Sequence, residues 1–223
     1  ALAESLVRIS AGVGKPTTAV LTRMDQPLGN AVGNALEVME AIDCLQGNGP
    51  VDLMTVTFEL VAEMLRLGGL CDDRAQAQQR MNAAIESGAA LEAFRDLVTA
   101  QGGDARVVDD SSLFPAAGWV FDLCYTGDTA SYVAGIDALL IGEAARLLGA
   151  GRAHADAVID LAVGIVFQKK IGDCVEPGAV LCQVHYNSDA SLSAALERLR
   201  QAITYSFEPV ETADIIIDHI SES

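Results

Sequence analysis

Basic residues are scarce: 14 Lys and Arg stand against 31 Asp and Glu, a formal net charge of −17 over 223 residues. That field repels a polyphosphate backbone and an anionic bilayer surface, so neither nucleic acid nor membrane is expected as a partner. The acidic residues are scattered with no acidic tail, which reads as a solvated surface. A small anion is a separate case, because helix ends and backbone N–H groups hold phosphate locally. Long apolar runs are also lacking. Hydrophobic residues make up 51% of the chain and mean hydropathy is +0.30, yet no stretch approaches the roughly 18 uninterrupted apolar residues of a membrane helix. No basic segment followed by a short apolar core and a cleavage site suggests a secretory signal.

Cysteine and histidine are few and poorly spaced for chemistry. Cys44, Cys71, Cys124, Cys174 and Cys182 form an odd set with no CxxC pair. This disfavours a metal cluster and a disulfide framework, and buried free thiols in a reducing cytoplasm are expected. His154, His185 and His219 stand near no Ser or Cys in a nucleophile motif, so each reads as structural or exposed.

What the chain does have is periodicity. Residues 1–13 read as a helix, with Leu2, Leu6 and Ile9 at helical spacing and no capping residue before the first turn. The chain is therefore expected to open inside a helix. Gly12 and Gly14 end it and Lys15-Pro16 prevents resumption, after which Thr17 to Leu21 reads as a short buried strand. A Pro/Gly loop follows and then a helix, the arrangement by which an α/β sheet presents a site at its carboxyl edge. Gly29 and Gly33 lie four apart and permit close backbone approach. Glu37 and Glu40, three apart, share one side of that helix. Residues 51–100 read as helical throughout, broken at Gly68-Gly69 and Gly88. Phe58, Val61 and Leu65, then Met81, Ile85, Leu91, Phe94 and Leu97, form stripes expected to be core. Beyond Gln101-Gly102-Gly103-Asp104 the composition changes. Strands are expected at 119–125, 131–136, 165–168 and 180–186, helices at 137–148 and 191–205, and a final strand at 215–217. The class is α/β, with a smaller α+β unit from about residue 105.

The run Gln26-Pro27-Leu28-Gly29-x-Ala31-Val32-Gly33-Asn34-Ala35-Leu36-Glu37-Val38-x-Glu40-Ala41 resembles a signature block of the pyrimidine-nucleoside and thymidine phosphorylases. The resemblance continues in order. Gly47-Asn48-Gly49-Pro50-x-Asp52-Leu53, Ser87-Gly88-x-Ala90-Leu91-x-x-Phe94 and Ala100 to Asp104 follow it. Leu148-Gly149-Ala150-Gly151-Arg152, Ile159-Asp160-x-x-Val163-Gly164 and Gly172-Asp173-x-Val175-x-x-Gly178 come later. One departure is Thr22-Arg23-Met24, where many relatives read Thr-Asp-Met. The resemblance implies that residues 1–104 are the C-terminal part of a mixed-sheet α/β domain truncated on its N-terminal side. It makes 105–223 a smaller, sandwich-like α+β C-terminal domain.

Phosphate is the family's co-substrate: it attacks C1′ of a pyrimidine nucleoside and gives free base and a pentose 1-phosphate. The family's Lys-His-Ser-Thr-Gly-Gly-type phosphate loop and its base-gripping Arg, Ser and Lys do not occur here. The resemblance therefore implies no catalytic residue in this chain, and inactivity of the chain alone. It also implies a potassium-type monovalent cation held by the carbonyls of Leu28 and Ala31 and the carboxylate of Glu40, bracing the phosphate loop. An oxygen-only set suits such a hard cation. The family further implies a cytoplasmic homodimer, joined through an N-terminal helical domain, which leaves the chain alone with exposed apolar area.

Each residue also has a plainer reading. Glu40 is otherwise a solvated charge, Glu37 either pairs with the phosphate-loop side or caps a local backbone group, and Gly29 and Gly33 are packing glycines. Arg152, after two glycines, reads as a structural ion pair more readily than as an anion nest. The turn from Gly172 to Gly178 also resembles biotinyl and lipoyl carriers, but Lys169 and Lys170 precede the Gly-Asp turn where no carrier lysine belongs. Alternatives are a same-fold phosphorylase of nucleoside monophosphates, a phosphoribosyltransferase, or a non-catalytic interaction module.

Overall fold

The computed structural model describes residues 1–152 and 154–221. By contacts the chain forms two compact units that interleave along the sequence. One gathers Ala1–Arg23, Cys44–Ala93 and Ala213–Ser223, and the other Met24–Asp43 and Phe94–Thr212.

In the first unit, α1 (Leu2–Gly12) leads into β1 (Thr18–Thr22), and α3 (Val51–Leu67) and α4 (Arg74–Glu86) follow. The start of α1 has no side-chain cap, as its sequence indicates. Strand β1 pairs antiparallel with β9 (Ile216–Ser221), from Thr18 opposite Ser221 to Thr22 opposite Ile216. Among the described residues this sheet has two strands. The expected buried strand is therefore half-buried, since a ribbon this narrow cannot cover both of its faces. Asp73 caps α4, accepting from the Gln76 N–H at 2.8 Å. Ala62, Cys71, Ala77 and Met81 form a small core with Phe58, Val61 and Leu65 against it.

The second unit is built on two sheets. Strands β2 (Ala31–Val32), β5 (Gly164–Phe167), β7 (Val180–Tyr186) and β3 (Trp119–Cys124) lie side by side in that order. Strands β6 (Cys174–Val175), β4 (Ser131–Ile136) and β8 (Ile203–Ser206) form the other. Every pairing among the described residues is antiparallel. The helices α6 (Ala138–Leu148) and α7 (Asp189–Ala202) pack with these sheets around a large core that includes Ile136, Ile141, Ile165, Val184 and Leu199. Asp137 fixes the start of α6 by accepting from the N–H groups of Leu139 and Leu140. Gly149, at φ 111, ends it in a left-handed turn. The mixed α/β class expected from the sequence is what the chain adopts.

Two further expectations need correction. The helix expected to reach residue 205 stops at Ala202, and Ile203 pairs with Ile136 as the start of β8. Helical periodicity cannot show that a short β-prone run has a strand waiting for it. The helix α5 (Ala89–Ala100) buries no residue, and Leu97 is 53% exposed. Its stripe marks an apolar face but does not make that face core. None of the five cysteines is joined in a disulfide. Cys71 and Cys182 are buried as expected, and burial pushes the Cys182 thiol up to about 12, while Cys174 is exposed. No helix among the described residues is long and apolar enough to cross a membrane.

Candidate functional site

The site is the loop from Asp25 to Asn30 with the start of α2 (Asn34–Leu45), all within the second unit. Strand β2 is an edge strand, and its register decides which way its polar groups face. Phe167 N–H donates to Asn30 O at 2.8 Å, and Ala31 stands opposite Val166. In an antiparallel ladder that places Ala31 in a non-hydrogen-bonded pair, so its N–H and C=O both turn away from β5. Glu40 stands on that outward side. Its Oε1 accepts from the Asn30 N–H at 2.8 Å and the Ala31 N–H at 3.1 Å. The carbonyl of Ala31 thus opens to the side that Glu40 occupies.

Helix α2 can deliver Glu40 there because its beginning approaches β5 closely. A Cβ on Gly33 would lie 2.6 Å from Val163 O and 2.9 Å from Gly164 Cα, and one on Gly164 would collide with Val32 O. Two facing glycines permit what no other residue pair could, and Gly33 also has φ 151. Glu37 Oε1 accepts from the Gly33 N–H at 2.9 Å. That is a local backbone cap, one of the two roles its sequence leaves open, and close in kind to a capping box. Asn34 Nδ2 donates to Ala150 O at 2.8 Å, so the Gly149-Ala150 turn anchors the helix start. Arg152 is exposed and takes no part in this arrangement.

Of the three candidate ligands, Ala31 and Glu40 are brought together directly. Leu28 stands half-buried in the loop three residues before Ala31. The donor chemistry fits a monovalent cation: backbone carbonyl oxygen and a single carboxylate, with no nitrogen or sulfur. A carboxylate offers about four lone-pair directions, and the two amide bonds orient Glu40 along two of them.

One participant was not foreseen. Lys170 lies on the turn after β5, and its Nζ donates to Pro27 O at 2.5 Å and Gly29 O at 2.6 Å. Beside it the Ile171 N–H donates to Gln26 Oε1 at 3.0 Å. The Lys169-Lys170 pair before the Gly-Asp turn was the available signal, but its partners lie over 140 residues away in sequence.

Residues 1–91 match the family model described as the glycosyl transferase family a/b domain, and residues 132–206 match that of the pyrimidine nucleoside phosphorylase C-terminal domain. The fold and loop are thus those of a glycosyl transferase a/b segment joined to a phosphorylase C-terminal domain. Among relatives, the pyrimidine-nucleoside phosphorylase of Geobacillus stearothermophilus is 41% identical over 221 residues, covering 99% of this chain and 50% of that protein. That of Bacillus subtilis (strain 168) is 45% identical over 188 residues, covering 84% and 43%. That of Staphylococcus haemolyticus (strain JCSC1435) is 41% identical over 203 residues, covering 91% and 46%. The chain belongs to the pyrimidine-nucleoside phosphorylase family. It spans about half the length of the curated relatives it matches.

Proposed function

We propose that this chain is the C-terminal portion of an enzyme that carries out reversible phosphorolysis of pyrimidine nucleosides such as thymidine, uridine and deoxyuridine. Phosphate attacks C1′, the glycosidic bond breaks, and the products are free base and a pentose 1-phosphate. Such a reaction needs a cradle for phosphate, donors for the departing pyrimidine anion, and exclusion of water. The residues that grip phosphate and base come from outside this chain, which by itself is inactive. Residues 1–104 complete the α/β domain, and 105–223 are the C-terminal domain. The two family matches, to 1–91 and 132–206, support that division. The whole enzyme is a cytoplasmic homodimer that binds no nucleic acid and no membrane.

This chain contributes the wall of a monovalent cation site. The Ala31 carbonyl and the Glu40 carboxylate face one another across the outer edge of β2, with Leu28 supplying a further carbonyl. A potassium-type ion bound there supplies fixed positive charge and ties this wall to the phosphate-binding loop. Glu40 has two duties that can be separated: its charge faces the cation, and its Oε1 orders the amides of Asn30 and Ala31. The observation that carries the reading is that paired arrangement, a carboxylate locked by two loop amides beside an outward-facing carbonyl.

The test is base release from thymidine and uridine by the whole protein, with phosphate and with or without potassium, for wild type, Glu40→Gln and Glu40→Ala. Glu40→Gln keeps the acceptor and removes the charge, so potassium stimulation falls by about tenfold or more. Glu40→Ala loses both functions and falls further. Unaltered potassium response in both variants reduces Glu40 to a loop cap. Absence of base release by the wild type removes nucleosides as substrates and directs the search to nucleoside monophosphates.

A further inference from the structure

We infer that Lys170 is the positioning residue of the cation loop: a tethered ammonium that curls residues 26–29 into the form that offers carbonyl oxygen to the diffusible cation. The inference deepens the proposed cation site and rests on that reading for its functional meaning. Its structural part stands on bonds already described. One ammonium takes two carbonyls two residues apart, Pro27 at 2.5 Å and Gly29 at 2.6 Å. Carbonyls at i and i+2 stand parallel and about 6.6 Å apart in extended backbone, and run parallel to the axis in a helix, so their convergence on one nitrogen requires a curl. Gly29 supplies it, at φ 72. Pro27 and Gly29 are both buried, where a carbonyl without a donor is costly, and Pro27 has no N–H with which to join a ladder. A charged donor with three hydrogens answers two such carbonyls at once.

The lysine is itself held at its root. Its N–H donates to Asp173 Oδ2 at 2.8 Å, and the Asp173 N–H donates back to Lys170 O at 3.0 Å. The next residue, Ile171, grips the Gln26 side chain at 3.0 Å. Residues 26 to 32 are therefore fastened along 165 to 171 by a continuous series: the β2–β5 pairing, the Phe167–Asn30 bond, the ammonium and the Gln26 amide oxygen. Glu40 closes the same loop from the helix side through the amides of Asn30 and Ala31. The loop between these two fastenings contains Leu28. Lys170 thus acts on the cation through the loop, by fixing where the Leu28 and Ala31 carbonyls stand.

The experiment compares Lys170→Met, which keeps the length and removes the charge and donors, with Lys170→Arg, in the whole protein. Two quantities are read: amide hydrogen exchange at Asn30, Ala31 and Ile171, and the potassium concentration that half-saturates the rise in Tm. Lys170→Met is expected to speed exchange at those three amides at least tenfold while leaving Val184, in the centre of β7, unchanged. It is also expected to raise the half-saturating potassium concentration at least tenfold, with Lys170→Arg between it and wild type. Exchange at Asn30 and Ala31 equal to wild type overturns the inference. So does a rise shared by Val184, which means that the variant has lost the fold and not the loop. A potassium half-saturation unmoved in Lys170→Met, with a normal wild-type response, also overturns it. A wild-type protein whose Tm ignores potassium sinks the cation reading instead, and the exchange at Asn30 and Ala31 still decides whether Lys170 holds the loop.

Discussion

The two units differ in how much they bury. The second has a continuous core in which Ile141, Ile165, Val184 and Leu199 have no accessible surface. Among its described residues the first gathers a small cluster of Ala62, Cys71, Ala77 and Met81, and it exposes Leu2, Leu6, Ile9, Val13 and Met64. It also buries a charge. Glu59, 3% exposed, is held by Arg74 in a two-point ion pair, with His219 Nε2 2.8 Å from its Oε1. A unit with a full core is held by apolar area, which is non-directional and tolerant of small changes. A unit with a thin one leans on a few polar contacts, each of which costs heavily when half of it is removed.

Matched truncations sharpen this contrast most. Ile165→Ala in the second unit is expected to cost about 4 kcal/mol by loss of transfer energy and the cavity left behind. Leu6→Ala, at a residue 54% exposed, should cost under about 0.5 kcal/mol. Urea unfolding of both variants measures the difference, and comparable losses would erase the distinction between the units. The next effect reverses the roles of the units. Replacing Arg74 and His219 together by Leu leaves Glu59 buried without its partners. About 3 kcal/mol is expected to be lost, concentrated in exchange of the α3 and α4 amides. Exchange that stays flat there would mean that water satisfies Glu59.

The smallest effect is electrostatic and lies in the second unit. Arg95 grips Asp109 with two 2.8 Å bonds and holds its carboxyl below the usual carboxylate range. A depressed folded pKa gives stability that is present above the unfolded value of about 3.9 and is lost as pH falls through the folded one. The pair is exposed, so Asp109→Asn should lower the urea midpoint only slightly at neutral pH. That deficit should vanish as pH falls below the depressed folded value. A deficit that persisted in acid would point to lost geometry, not lost charge.

Much of this was legible from sequence wherever the cause is local. Asp137 before α6 and Gly149 after it, the β-branched runs at 131–136 and 180–186, and the Pro/Gly loop before α2 all announce themselves. The candidate ligands Leu28, Ala31 and Glu40 came from resemblance, and a local cap was one of two roles the sequence left open for Glu37. What stayed hidden depends on pairing across the chain. The Gly33–Gly164 approach, Lys170 on Pro27 and Gly29, and the conversion of 203–206 to strand each require a partner far away in sequence. No window of neighbouring residues contains that information. The burial of Glu59 escaped for the same reason, because β9 brings His219 to α3 only after folding.

The β1–β9 ribbon has a consequence for the order of events during synthesis. Thr18 pairs with Ser221, so joining them closes a loop of about 200 residues. The entropy of that closure is on the order of 5 kcal/mol, and it is lost before the ribbon returns any stabilisation. The pairing cannot begin until Ile216 to Ser221 have left the ribosome. Most of the other unit lies between the two strands and is free to fold while they wait. Strand β1 thus waits through the synthesis of residues 23–215 before β9 can pair with it, an interval in which a chaperone or another chain has access to its edge.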